Sequence, residues 1–397
     1  MNISSPYLDT IISLALIYAL LSVLVSILLE IWNQHTKARG KTLQDSIFKL
    51  INDPLNHNFG YLIYQHPIIN RMRKDENSYP AYISADNFCN ALIDVLSAKS
   101  VQSSYELKDG QYVQTIVKPS TIEERLTMGV AGLNPSEFRD LIQNFIDRNT
   151  LNGVLNLKEL KTEMGTWYDD YMDRIGGQYK NNNRPKMIGL GLLVAAVLNV
   201  DTIHLTKVLF LDQELRNRMV TEAQKVSADY ENTEGNSEVK IDAALNGIKR
   251  QIDQIVNDSA KEKKNENLSK SFDSVLSILG KHQLDSANKM RKDLVFRAMS
   301  RWEIPIGYNR DDAPISWFRD KGSSLYDYKN TAQENVMIEY FESRNKFTIW
   351  RAFKWLIGII ISGIALGYGA PFWFETLGKL INIRSAGQKP QKMNTTK

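Results

Sequence analysis

The chain has 397 residues, 43% of them hydrophobic and 24% charged, with a formal net charge of +4. That length suits two or three units of ordinary domain size, and so small and scattered an excess of Lys and Arg excludes a nucleic-acid footprint. A lone cysteine, Cys89, excludes an internal disulfide and any thiolate metal cluster.

Apolar residues concentrate in three runs, so the composition describes helical soluble parts tied to a bilayer. The first run, 7–32, carries no charge between Asp9 and Glu30. At about 1.5 Å rise per residue it can cross a hydrocarbon core of roughly 30 Å. It lacks the basic n-region and small-residue cleavage site of a signal peptide, so a retained transmembrane helix is predicted. Lys37, Arg39 and Lys41 follow it, whereas no Lys or Arg precedes it. That asymmetry places the N-terminus outside and the segment 33–186 in the cytoplasm.

The segment 33–186 reads as a mainly helical domain. Tyr105 to Ile116 alternates around Asp109-Gly110, a two-residue turn signal for a small β-hairpin. Asn134-Pro135-Ser136-Glu137 reads as a helix start with Asn134 as cap, followed by an apolar face of Phe138, Leu141, Ile142 and Phe145. Arg148 to Glu159 has the outline of a calcium loop, but Arg148 and Thr150 occupy positions where carboxylates are needed, so a plain helix–turn–helix is expected.

The second run, 187–211, is apolar as far as Val200 and then contains Asp201, His204 and Lys207. It is read as a second span, with a buried or interfacial helix as the competing reading. Asp201 and His204 are three apart and share a face if one helix runs through both. An ionisable residue inside a bilayer is a functional candidate by default, although both could sit at the outer headgroup level.

The segment 212–347 is helical in pattern. Ile241, Leu245, Ile248, Ile252 and Ile255 step by four and three, as do Leu268, Phe272, Val275 and Leu279. With the polar stretch Lys261 to Asn267 between them, they predict a two-helix hairpin or part of a bundle. The third run, 350–374, is a further transmembrane helix. Trp350, Trp355, Phe372, Trp373 and Phe374 are its membrane-interface candidates, and Pro371 is expected to end or turn it. Leu377, Leu380, Ile381 and Arg384 then suggest an interfacial helix within 375–397, or one docked on protein, before a basic tail.

The small-residue spacings Ala15/Ala19/Ser22/Ser26, Gly191/Ala195 and Gly363/Gly367 let helices approach closely, within one subunit or between copies. No P-loop, GxSxG or HExxH pattern is present, and the histidines lack metal-ligand spacing, so no catalytic, cofactor or metal residues are assigned. The fold class expected is a mainly α membrane protein with about three transmembrane helices, helical soluble parts and a small β-hairpin.

Five motifs in order, Tyr64–Ile69 (YQHPII), Pro80–Ser84 (PAYIS), Tyr171–Lys180 (YMDRIGGQYK), Asn199–Ile203 (NVDTI) and Gly369–Phe374 (GAPFWF), together resemble a family of bacterial inner-membrane proteins of uncharacterised function. Relatives of that kind carry an aromatic after the glycine pair, where this chain has Gln178. The resemblance implies an intact multi-pass membrane protein and brings no reaction or ligand. The expected function is a non-enzymatic membrane anchor or scaffold, oligomeric or docking a protein partner, with the lipid bilayer as its surroundings. The alternative is an oligomeric pore using Asp201 and His204.

Overall fold

A computed structural model describes residues 5–51, 59–73, 79–100, 102–108, 111–117, 119–253, 259–279, 284–308, 334–345 and 349–386. The Asp109-Gly110 turn, Ile255 of the first seam and the tail from Gly387 onward lie outside the described residues. The elements are α1 (Pro6–His35), α2 (Ala38–Leu50), α3 (Phe59–Gln65), α4 (Pro67–Asn70), α5 (Ala85–Ser97), β1 (Gln102–Lys108), β2 (Gln111–Val117), α6 (Ile122–Ala131), α7 (Glu137–Arg148), β3 (Thr150–Leu151), β4 (Val154–Leu155) and α8 (Leu157–Val197). They continue as α9 (Thr202–Leu211), α10 (Gln213–Glu231), α11 (Ser237–Asp253), α12 (Ser259–Leu279), α13 (Ser286–Arg301), α14 (Glu334–Asn345), α15 (Ile349–Gly367) and α16 (Ala370–Ala386). The chain is thus mostly helical, and it divides into two units, Thr36–Asn182 and Met1–His35 with Asn183–Lys397.

The unit Thr36–Asn182 is built on aromatic packing. Phe88 stacks on Tyr168 with ring centres 4.2 Å apart, and the Tyr168 hydroxyl donates to the Ile83 carbonyl at 3.0 Å. Burial pushes the Tyr64 and Tyr168 hydroxyls well above the usual phenol range. Cys89 is buried in the same core, and that burial pushes its thiol up to about 12. Strands β1 and β2 pair antiparallel with Lys108 opposite Gln111, a register that leaves two residues between them. The start of α7 differs in detail from expectation. Ser136 is the cap, its Oγ accepting from the Arg139 N–H at 3.1 Å, and Pro135 lies before it. The chemistry chooses Ser136 because its extended backbone puts a hydroxyl within reach of the third helical N–H.

Between α7 and α8 the loop is a tight hairpin. Thr150 pairs with Leu155 and Leu151 with Val154. Asn152 and Gly153 both have positive φ, 53° and 79°, as a two-residue type I′ turn requires. Arg148 points to Glu163 at 2.9 Å, and Asn149 Nδ2 donates to the same carboxylate at 2.5 Å. Arg148, at the first position of the loop outline, is thus turned to Glu163, a residue beyond that outline.

In the other unit, α1 is the centre. Its most apolar stretch is 83% buried, packed by α9, α10, α13, α15 and α16. The segments read separately from the sequence as a second span, a soluble bundle, a third span and an interfacial helix share one continuous hydrophobic core with it. Helix α10 rather than α12 is the close partner of α11, and α12 packs on α13. Lys261 to Asn267 is not a connector but part of α12, as its Lys and Glu content favours. The seam residues are nonetheless inward: Ile241, Leu245, Ile248, Leu268, Phe272 and Val275 are all buried. Arg291 holds Asp242 through two bonds of 2.7 and 2.8 Å, tying α13 to α11.

Candidate functional site

The apolar run at 187–211 is two helices. Helix α8 passes the expected boundary at Met187 without a break, runs to Val197, and is followed by α9 at an angle of 58°. Asn199, in the connection, has a φ of 49°, which Asn tolerates better than most residues. Asp201 is the cap of α9 rather than a member of one through-running helix with His204. Its Oδ1 accepts from the N–H groups of Ile203 at 2.9 Å and His204 at 3.2 Å.

The polar groups around this break are tied to several other elements. Asn199 donates to the Gly307 carbonyl at 2.8 Å and accepts from Trp355 Nε1 at 2.7 Å. Tyr18, Thr202 and Ser362 form a hydroxyl chain with 2.7 Å steps, linking α1, α9 and α15. His204 Nδ1 lies 2.9 Å from the Tyr340 hydroxyl of α14, whose ring also carries Lys207 Nζ 4.5 Å from its centre. Asp201 and His204 are 2% and 1% exposed, so both are engaged inside the subunit. Irregular backbone in an apolar setting is stable when satisfied by protein in this way. Asp201 also fits against Gly358, where a side chain would meet its carboxylate.

The second helix break is the corner between α15 and α16. It falls at Tyr368–Gly369, with Gly369 at φ 87°. Pro371 follows it in the first turn of α16, a position where its missing N–H costs nothing. The two most specific motifs, Asn199–Ile203 and Gly369–Phe374, are thus the two places where the chain changes direction. Of the five aromatic interface candidates, Trp350 and Phe372 are exposed at 60% and 42%. The other three turn inward. Trp355 bonds Asn199, Trp373 donates to the Ala365 carbonyl at 2.6 Å, and Phe374 stacks on Tyr230 of α10. Leu377 is fully buried and Leu380 and Ile381 pack against the core, so α16 is docked on protein by its apolar face.

The glycines of the third run act within the chain. A Cβ on Gly363 would fall 2.7 Å from Leu192 Cα, and one on Gly367 2.8 Å from Ile188 Cα. The GxxxG therefore seats α15 on the end of α8. These contacts also fix directions. Ile188 meets Gly367 and Asn199 meets Trp355, so α8 runs antiparallel to α15. Ser22 donates to the Leu366 carbonyl and Tyr18 reaches Ser362 through Thr202, so α1 runs parallel to α15.

Two unlike flanks result. On one, Ile349, Phe353, Leu356, Ile360, Ile364 and Tyr368 of α15 are all exposed by 41% or more and recur every three or four residues. The stripe is about 28 Å long at the helical rise. On the other flank α10 lies along the same stretch of α1. Near its start Arg216 bonds the Phe210 carbonyl, and Phe210 packs on Tyr7. At its end Tyr230 stacks on Phe374, next to Trp373, which packs on Tyr18. The outer face of α10 exposes Glu214, Asn217, Arg218, Thr221 and Lys225, and α16 beside it exposes Glu375 and Lys379. A charged side chain at the centre of a bilayer costs about 2.5–3.5 kcal/mol even on the mildest scale. That flank is built for water.

No described group of three His, Cys, Asp or Glu side chains could hold a metal ion. Comparison with protein-family models, curated proteins and solved structures finds no match for this chain in any of the three. Two helices are long and apolar enough to cross a membrane, or three if the bent α8–α9 pair counts as one span.

Proposed function

We propose that the protein is a non-enzymatic, multi-pass membrane anchor or scaffold of the bacterial inner membrane. Helix α1, the bent α8–α9 pair and α15 are its three passes, and the folded unit Thr36–Asn182 is displayed in the cytoplasm to a protein partner. The observation that carries this is the alternation of helix directions behind an exposed apolar stripe. A chain crossing three times must run down, up and down, and by their contacts α1 and α15 run parallel while α8 runs antiparallel to α15. Lys37, Arg39, Lys41, Lys180, Arg184 and Lys186 then fall on one side, as the positive-inside rule asks. Asp201 and His204 keep the middle pass bent and its backbone satisfied, and Trp350 and Phe372 meet the headgroup region.

The test is extraction and topology together. Membranes washed with alkaline carbonate should retain the chain, and a reporter inserted near Asp109 should behave as cytoplasmic; Arg384 at the end of α16 pairs with Asp9 at the start of α1 at 2.8 Å, so the end of α16 belongs on the side of the N-terminus. Release by carbonate, or an exported signal at Asp109, overturns the proposal. Copurification in mild detergent then reads out the partner, and a chain recovered alone would remove the scaffold role.

A further inference from the structure

We infer that α8 carries a joint, a stretch at 176–185 that opens locally and lets the helix bend between two packed halves. The upstream half is held by Leu160, Met164 and Tyr168, spaced one turn apart and buried in the core of the unit Thr36–Asn182. The downstream half is held by Leu190, Val194 and Ala195, buried in the core built around α1. The seat of Gly363 and Gly367 on Leu192 and Ile188 holds it too. Between these halves, no described residue from 173 to 186 belongs to either apolar core. Gln178, Asn181, Asn182, Arg184 and Pro185 are exposed.

A helix without tertiary packing stands on its own propensity, and this stretch is poorly equipped. Gly176 and Gly177 are adjacent, and a Cβ at either would meet nothing within 4 Å. No close approach requires glycine there, so what the pair supplies is backbone freedom, which opposes the helix. Asn181, Asn182 and Asn183 follow, whose short amides compete for neighbouring backbone groups. Pro185 stands inside the helix. It has no N–H to give the Asn181 carbonyl, its ring crowds that carbonyl, and it disfavours helical backbone at Arg184. The side-chain bond from Lys186 Nζ to Asn183 Oδ1 at 3.2 Å joins residues three apart and braces a single turn. Glycine pairs and prolines are where helices kink, and a segment with few buried contacts is where local opening starts. The glycine pair of the motif Tyr171–Lys180 thereby acquires a physical role. The other covalent link between the two units, from α1 to α2, turns at Lys37 with φ 51°, so it is no through-running helix either. In the anchor reading, the joint lets the displayed unit turn toward a partner while the end of α8 stays seated on α15.

The experiment is hydrogen–deuterium exchange of the full-length chain in detergent, resolved along α8. Amides of 176–185 should exchange at least about tenfold faster than those of 160–170 and 188–196. Gly176→Ala with Gly177→Ala should slow exchange there by about tenfold to thirtyfold, and adding Pro185→Ala should slow it further, because all three changes favour the closed helix. Nitroxides at Asp170→Cys and Gly189→Cys, in a Cys89→Ser background, read the bend itself. A straight helix puts these positions about 28 Å apart. The distance distribution should spread below that value with the native joint and narrow to it in the triple alanine variant. Equal protection along α8, or a distribution already narrow at about 28 Å with the native joint, overturns the inference. So do alanine variants whose exchange is unchanged. None of these readouts involves carbonate extraction or reporter topology, so the joint and the anchor reading fail separately.

Discussion

Replacing Asp201 by Ala isolates what the helix break needs. The carboxylate accepts from two N–H groups, those of Ile203 and His204, in a site where Asp201 is 2% exposed. Loss of an N-cap costs about 0.5–2 kcal/mol. Here the orphaned donors are shut away from water, and each buried unsatisfied group adds about 1–3 kcal/mol. The two ranges overlap in what they count, so Asp201→Ala should cost about 2–4 kcal/mol. Asp201→Asn keeps an oxygen in the same place and should cost less than about 1 kcal/mol. The assay is thermal unfolding in detergent followed by tryptophan fluorescence. For large units about 2–4 °C accompanies each kcal/mol, so Ala should melt several degrees below Asn. If Ala and Asn melt together, the capping argument fails. If both keep wild-type stability, the break is held by Asn199 and the Tyr18–Thr202–Ser362 chain instead.

Three further outcomes follow from the packing. Gly363→Val should lower the melting point through overpacking worth about 1–3 kcal/mol, because its Cβ would collide with Leu192. Gly189→Ala, which would meet nothing within 4 Å, should not lower it. Ile248→Asp puts an unpaired charge into the core beside α10 and should cost several kcal/mol, against about 0.5 kcal/mol or less for the exposed Lys249→Ala; proteolytic resistance reports both, and equal effects would show that the seam is not buried. Cys89, its thiol pushed up to about 12 by burial first and by Asp86 and Asp169 second, should resist thiol reagents at pH 8 until the unit Thr36–Asn182 is unfolded. The folded state keeps that proton while an unfolded thiol releases it near its ordinary value, so the Cys89 contribution to stability falls as pH rises from about 9 towards 12. Rapid labelling of native protein at pH 8 would contradict the burial.

Some of this was legible from residue types alone. Long apolar runs around 7–32 and 350–374 specify helices whatever surrounds them, because chain length and hydropathy act locally. The alternating residues around Asp109-Gly110 specify paired strands for the same reason, and the four-three spacing at Ile241–Ile252 marks an inward face. The motifs at Asn199–Ile203 and Gly369–Phe374 stood out as sequence, yet nothing local says that each is a change of direction. Asp201 caps a helix because Gly358, far along the chain, leaves room for its carboxylate. Trp355, Trp373 and Phe374 carry the composition of an aromatic belt, but inward partners at Asn199, Ala365 and Tyr230 claim them. Periodicity tells which face of a helix is apolar and not what covers it. The polar exterior of α10 and the apolar exterior of α15 were each readable, and only tertiary packing put both helices against α1.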